Sequence, residues 1–155
     1  MNVIGLGKAG CAIANDFARY PQYTIFKIDV DMVGENCYNV QAQPGPEEYE
    51  ASAPSFEEFF KGVSGDTILV IGGSGDISGL SLRIMEQIHQ TCKITILYIR
   101  PDVELLSEVK KMHERVTYNV LQEYARSGQI KGICLVSNTQ LENILDNVPI
   151  MGYYK

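Results

Sequence analysis

Gly5-Leu6-Gly7-Lys8-Ala9-Gly10 follows the β-branched run Asn2-Val3-Ile4 and precedes Gly10 to Tyr20, where Ala12, Ile13 and Phe17 recur near helical spacing. Strand, glycine turn and helix in that order fit the pattern G-x-G-x-x-G. Asp29 stands about 20 residues on, near the end of a second strand, Thr24 to Val30. In such a βαβ unit glycines let the backbone approach a pyrophosphate, while the helix N-terminus offers N–H groups and a positive partial charge. The same hexapeptide also suits a tight βα turn without a ligand. Lys8 reads either as a cation for a phosphate or as a solvated loop lysine. Asp29 and Asp31 read either as ligands of a ribose hydroxyl or a magnesium water, or as solvated carboxylates ending a strand.

The pattern repeats further along. Thr67 to Ile71 is a nearly all-apolar run, as in a strand buried on both faces of a parallel sheet. It leads into Gly72-Gly73-Ser74-Gly75 and a helix over Ser78 to Gln90 marked by Leu82, Met85, Ile88 and His89. A strand over Lys93 to Ile99 is stopped by Pro101. A long amphipathic helix follows over Val103 to Arg126, with Leu105, Val109, Met112, Val116, Val120 and Tyr124 as the stripe to be buried. Gly128 suits its C-cap, Gly132 to Val136 is a last strand, and Asn138 is placed to cap a helix carrying Leu141, Ile144 and Leu145. Between Asp31 and Pro54 no period is visible, and Gln43 to Pro54 is expected to be a mobile lid or partner-binding loop. Ser55 and Glu58 have capping-box spacing ahead of Phe56, Phe59 and Phe60, which predicts a short helix docked on the sheet. The expected fold is α/β, a doubly wound, mainly parallel, Rossmann-like sheet with helices on both faces, in a single domain over residues 1–155.

Composition narrows the function. Hydrophobic residues make up 45% and charged ones 21% of 155 residues, which suits one packed domain. The net charge of −6 opposes binding to a phosphodiester backbone, so no nucleic-acid partner is expected. Apolar runs fall far short of the roughly 20 residues that span a bilayer, and no secretory signal opens the sequence, so the expectation is a cytoplasmic protein without membrane insertion. Cys11, Cys37, Cys92 and Cys134 are scattered, without the spacing of a zinc site or disulfide framework; four buried thiols are expected, Cys37 the most exposed of them. His89 and His113 lack catalytic neighbours in sequence, and Ser74 lacks the surroundings of a nucleophile elbow.

With both glycine loops at strand ends, nearly the whole chain resembles the nucleotide-binding domain of the tubulin/FtsZ family of GTPases. Val3 to Gly10 is similar to the first phosphate loop, Ile28-Asp29-Val30-Asp31 to the second, and Gln43-Pro44-Gly45-Pro46-Glu47 falls at the mobile third loop. Gly73-Ser74-Gly75-Asp76-Ile77-Ser78-Gly79 stands at the signature loop, Arg100-Pro101 at the Lys-Pro turn, and Val136 to Leu141 at the segment whose Asn contacts guanine. The resemblance implies GTP or GDP, with magnesium as an accompanying ion. It assigns the nucleotide to Gly5, Gly7, Lys8, Gly10, Asp29, Asp31, Gly73, Ser74, Gly75, Ser78, Gly79 and Asn138, and implies self-association into cytoskeletal or cell-division filaments.

The departures matter equally. Asp76 and Ile77 replace signature glycines, so the carboxylate must turn away, ligate a cation or prevent triphosphate binding. Cys11 and Ala12 stand where the family has polar residues near the base, and Leu105 and Val109 where FtsZ-type proteins carry Glu and Arg. The family's catalytic loop, central helix and second domain lie past Lys155, so no catalytic residue is assigned. The chain is expected to be a piece of a longer protein or a reduced relative with weak or absent hydrolysis alone. Two other readings stay open: an NAD(P)- or flavin-binding Rossmann domain using Gly5, Gly7, Gly10 and Asp29, and a nucleotide-free interaction scaffold, for which Asp76 and Ile77 speak.

Overall fold

β-Branched runs alternate with helical stripes along the chain, and the runs become strands of one sheet. A computed structural model describes residues 1–31, 34–72, 76–100, 106–128 and 130–137. In chain order the elements are β1 (Asn2–Leu6), α1 (Gly7–Phe17), β2 (Thr24–Asp29), β3 (Cys37–Asn39), α2 (Pro46–Ala51), β4 (Gly65–Gly72), a 3₁₀ turn (Asp76–Leu80), α3 (Ser81–Ile88), β5 (Cys92–Arg100), α4 (Glu108–Arg126) and β6 (Gly132–Ser137). All six strands pair in parallel in the order β3-β2-β1-β4-β5-β6. The winding reverses between β1 and β4, the switch point of a doubly wound α/β sheet, and ligands of such sheets bind beyond the strand ends there.

Strand alternation divides the core in two. Ile4, Leu6, Ile28, Leu69, Ile71, Ile94, Ile96 and Tyr98 face Tyr49 of α2, Phe56 and Phe60, the buried side of α3 and Leu121 of α4. Val3, Val70 and Ile99 on the other face meet Ile13, Ala14 and Phe17 of α1. Each fully buried aliphatic side chain contributes about 1.5–3 kcal/mol, so both faces anchor their helices.

Several expectations change in detail. The segment from Asp31 to Pro54 contains β3, paired Lys27 to Cys37 and Asp29 to Asn39, and α2, with Pro46 in its first turn. A strand of three residues and a helix of six are too short to show a period. Residues 57–62 form turns instead of the expected helix. Ser55 Oγ accepts from Glu57 N at 3.4 Å, so the capping box does not form. Phe56 and Phe60 nonetheless reach the sheet, where Phe26 meets the rings of Phe59 and Phe60 at 5.7 and 5.8 Å. α1 begins at Gly7 and not Gly10, and a 3₁₀ turn precedes α3. α4 begins at Glu108, where Ser107 caps it by accepting from Lys110 N; residues 101–105 and the helix expected after Asn138 lie outside the described residues. Cys11 and Cys92 are buried, Cys37 is half-buried and Cys134 is exposed, which corrects the expectation of four buried thiols led by Cys37.

The largest correction concerns α4. Half of its expected core stripe faces water: Val109, Met112 and Val116 are 57%, 54% and 55% exposed, whereas Val120 is half-buried, Tyr124 packs on the core and Leu105 lies outside the described residues. Glu114 and Leu121 are the buried residues, with Tyr118, Tyr124 and Ala125 packed beside them. Glu114 sets this rotation. Its carboxylate accepts from Tyr98 Oη at 3.2 Å and lies 3.5 Å from Arg100 Nε, while the Arg100 guanidinium lies 5.8 Å from the centre of the Tyr118 ring. A buried carboxylate is tolerated only with such partners, and here both stand on β5.

Candidate functional site at the switch point

Leu6 of β1 pairs with Ile28 of β2 on one side and Ile71 of β4 on the other. The next residue of each strand is therefore Gly7, Asp29 or Gly72, side by side at the carboxyl edge of the sheet. α1 starts there without a polar cap, because Leu6 has none to offer, and without an acidic residue in its first turn. Its first N–H groups and the positive end of its dipole are thus left for an anion. Lys8 is exposed in that turn. The Asp29 carboxylate accepts from Val30 N at 2.7 Å, and Asp31 turns the chain at φ +60°.

The fingerprint glycines have separable jobs. A Cβ on Gly10 would lie 2.6 Å from the carbonyl oxygen of Val70, and one on Gly5 would lie 2.8 Å from the carbonyl carbon of Gly10. These two glycines let α1 press on β1 and β4 whether or not a ligand binds. Gly7 has φ +78°, and a Cβ there would lie 2.7 Å from Ile77 Cγ2. At the glycine where a pyrophosphate would approach, the methyl group of Ile77 already stands.

The end of the second glycine segment, Ser78 and Gly79, turns to α2. Ser78 is buried, and Gly79 lies so close to the Pro46 backbone that any Cβ would overlap its carbonyl. Both residues meet α2. Asp76 turns toward α4, with Oδ1 3.9 Å from Lys110 Nζ. Gly73, Ser74, Gly75 and Asn138 lie outside the described residues. The structure thus gathers Gly5, Gly7, Lys8, Gly10 and Asp29 with Asp31 close by, and packs Ser78 and Gly79 on α2. Ile77, a departure from the signature glycines, stands over Gly7. Lys110 is the residue that sequence reasoning misses, because nothing local pairs it with Asp76. Among the described residues no three His, Cys, Asp or Glu side chains gather as a metal site, so a divalent ion here would depend on ligand phosphates.

Cys11 lies beneath this edge, its thiol 3.4 Å from the carbonyl oxygen of Gly5 and 3.6 Å from that of Ile28. Burial, chiefly, and the charge of Asp29 push its pKa up to about 11. A thiol proton held more tightly in the folded chain makes stability fall as pH rises from about 9 to 11, by about 2 kcal/mol at pH 10.5. Burial also raises Tyr98, in the same direction. Urea midpoints at pH 8 and pH 10.5 should therefore drop less in Cys11→Ala than in the parent; an equal drop would assign the loss to other groups. Iodoacetamide at pH 8 should label exposed Cys134 and spare Cys11.

This edge belongs to a class of proteins, the doubly wound parallel α/β domains with a glycine turn at the switch point. Within that class the chain has the fold of TubZ. It superposes on the GDP-form protofilaments of Bacillus thuringiensis serovar israelensis TubZ with a TM-score of 0.70 at 14% identity, over 94% of this chain and 47% of that one. The GTPγS-form protofilament of the same protein gives 0.69, also at 14% identity and the same coverage. The chain spans about half the length of those structures. No protein-family model matches this chain, and no curated protein matches it. Among the described residues no helix is long and apolar enough to cross a membrane.

Proposed function

We propose that the chain is a guanine-nucleotide-binding domain of the tubulin/FtsZ type, from a filament-forming cytoskeletal or cell-division protein. The observation that carries this reading is the alignment of Gly7, Asp29 and Gly72 beside the uncapped N-terminus of α1. The fold it shares with a protein seen in GDP and GTPγS forms supports it. In this reading the first turn of α1, with Gly5, Gly7, Lys8 and Gly10, holds phosphates. Asp29 and Asp31 take the ribose side or a magnesium water, Gly73, Ser74 and Gly75 close the phosphates from the β4 side, Ser78 and Gly79 anchor the end of that segment on α2, and Asn138 meets the base. The present rotamer of Ile77 does not fit a phosphate over Gly7, so binding requires it to move, and no hydrolytic step is assigned to this chain.

Thermal unfolding with GTP, GDP, ATP or NAD, each with and without magnesium, tests the reading. A ligand at 100 times its Kd adds about 2.7 kcal/mol, and the expected result is a rise selective for guanine nucleotides that loses selectivity in Asn138→Ala. A rise selective for NAD would instead support the Rossmann oxidoreductase reading. No rise with any nucleotide would support the second reading, a nucleotide-free interaction scaffold, which the position of Ile77 on Gly7 favours.

A further inference from the structure

The stripe that α4 turns to water points to a second site, between α2 and α4. Val109, Met112, Val116 and Val120 follow i, i+3, i+7, i+11, a line about 16 Å long, and the first three are more than half exposed. Their spacing would serve a buried helix face, yet Glu114 commits the opposite side of α4 to the sheet. Isolated exposed apolar side chains are ordinary, but a continuous row of them marks an interaction surface. Met112, Val116 and Val120 of this row line one wall of a cavity of about 250 Å³ whose opposite wall is α2, with Pro46, Glu47 and Glu50. Neither glutamate has a salt-bridge partner among the described residues. Lys110 and Lys111 on α4 lie against Asp76 and Glu108 instead.

We infer that this groove between α2 and α4 docks an amphipathic helix of a partner protein, its apolar face on Met112 and Val116 and its Lys or Arg side chains beside Glu47 and Glu50. The length of the stripe suits about three helical turns, the helix-in-groove mode of recognition. Charge selects the occupant. A second copy would bring the same glutamates and a net charge of −6, and an anionic membrane would meet them with the same sign, whereas a basic helix complements them.

The test uses two fluorescent 18-residue helical peptides with one leucine stripe, flanked by lysine in one and glutamate in the other. Anisotropy should show the lysine peptide binding at least tenfold more tightly than the glutamate peptide, with affinity falling as salt rises. Met112→Asp with Val116→Asp, both on exposed positions, should weaken it at least tenfold while circular dichroism and the unfolding temperature stay unchanged. Glu47→Gln with Glu50→Gln should weaken it and flatten the salt dependence. Equal or absent binding of the two peptides, or binding indifferent to Met112→Asp and Val116→Asp, overturns the inference. So does a concentration-dependent dimer in sedimentation that those substitutions abolish, which would make the occupant a second copy. Co-pelleting with phosphatidylserine vesicles through the same residues would make it a membrane.

Discussion

Gly10→Ala should lower the stability of the chain by about 3 kcal/mol, the upper part of the usual range for overpacking, and its unfolding temperature by roughly 6–12 °C. The new methyl group would stand 2.6 Å from the Val70 carbonyl oxygen, and a strand backbone in the centre of the sheet cannot withdraw as a flexible side chain can. Propensity acts the other way, since alanine is favoured over glycine by about 1 kcal/mol inside a helix; the steric term is the larger. Gly132→Ala is the control, because a Cβ there meets no atom of the described residues within 4 Å. It should change stability by less than 1 kcal/mol. Urea denaturation of both variants checks the pair, and a neutral Gly10→Ala would show that α1 does not press on β4 as described.

Ile77→Ala should tighten GDP and GTP binding at least tenfold, or 1.4 kcal/mol, by removing the methyl that stands over Gly7. Ile77 is only half-buried, so the cost in stability should stay below the roughly 2–5 kcal/mol of a fully buried isoleucine. Calorimetric titration of parent and variant separates the outcomes. Binding by both with equal affinity would mean that Ile77 does not stand in the way of the phosphates, leaving the nucleotide reading intact. Binding by neither would sink that reading and leave the scaffold.

Much of the fold was legible because each long strand carries its own signal. β1, β4 and β5 read as apolar runs bounded by glycine or proline, and the repeated strand-glycine-helix order told of a parallel doubly wound sheet. β3 was illegible, since Cys37-Tyr38-Asn39 gains its place from pairing with β2 and has no alternation of its own. Pattern reading also misjudged α4, for an instructive reason. Two stripes compete on it: the apolar one through Met112 and Val116, and a second through Glu114, Tyr118, Leu121 and Ala125 at the same spacing. A carboxylate in the second stripe hid it. Only Tyr98 and Arg100, on another strand, make burial of that carboxylate tolerable. The site was legible in part: Gly7 and Asp29 meet because strand ends meet, whereas the contacts of Ile77 with Gly7 and of Gly79 with Pro46 join segments distant in sequence.

The position of β1 has a consequence for biogenesis. Val3 pairs with Ile25 on one side and with Ile68 on the other, so the strand that leaves the ribosome among the first residues of this chain waits for a neighbour made much later. At roughly 5–20 residues per second that wait lasts seconds. During it one hydrogen-bonding edge of a Val-Ile strand stays open to any other chain nearby. Refolding from urea should be slow, limited by the closure of β4 on β1.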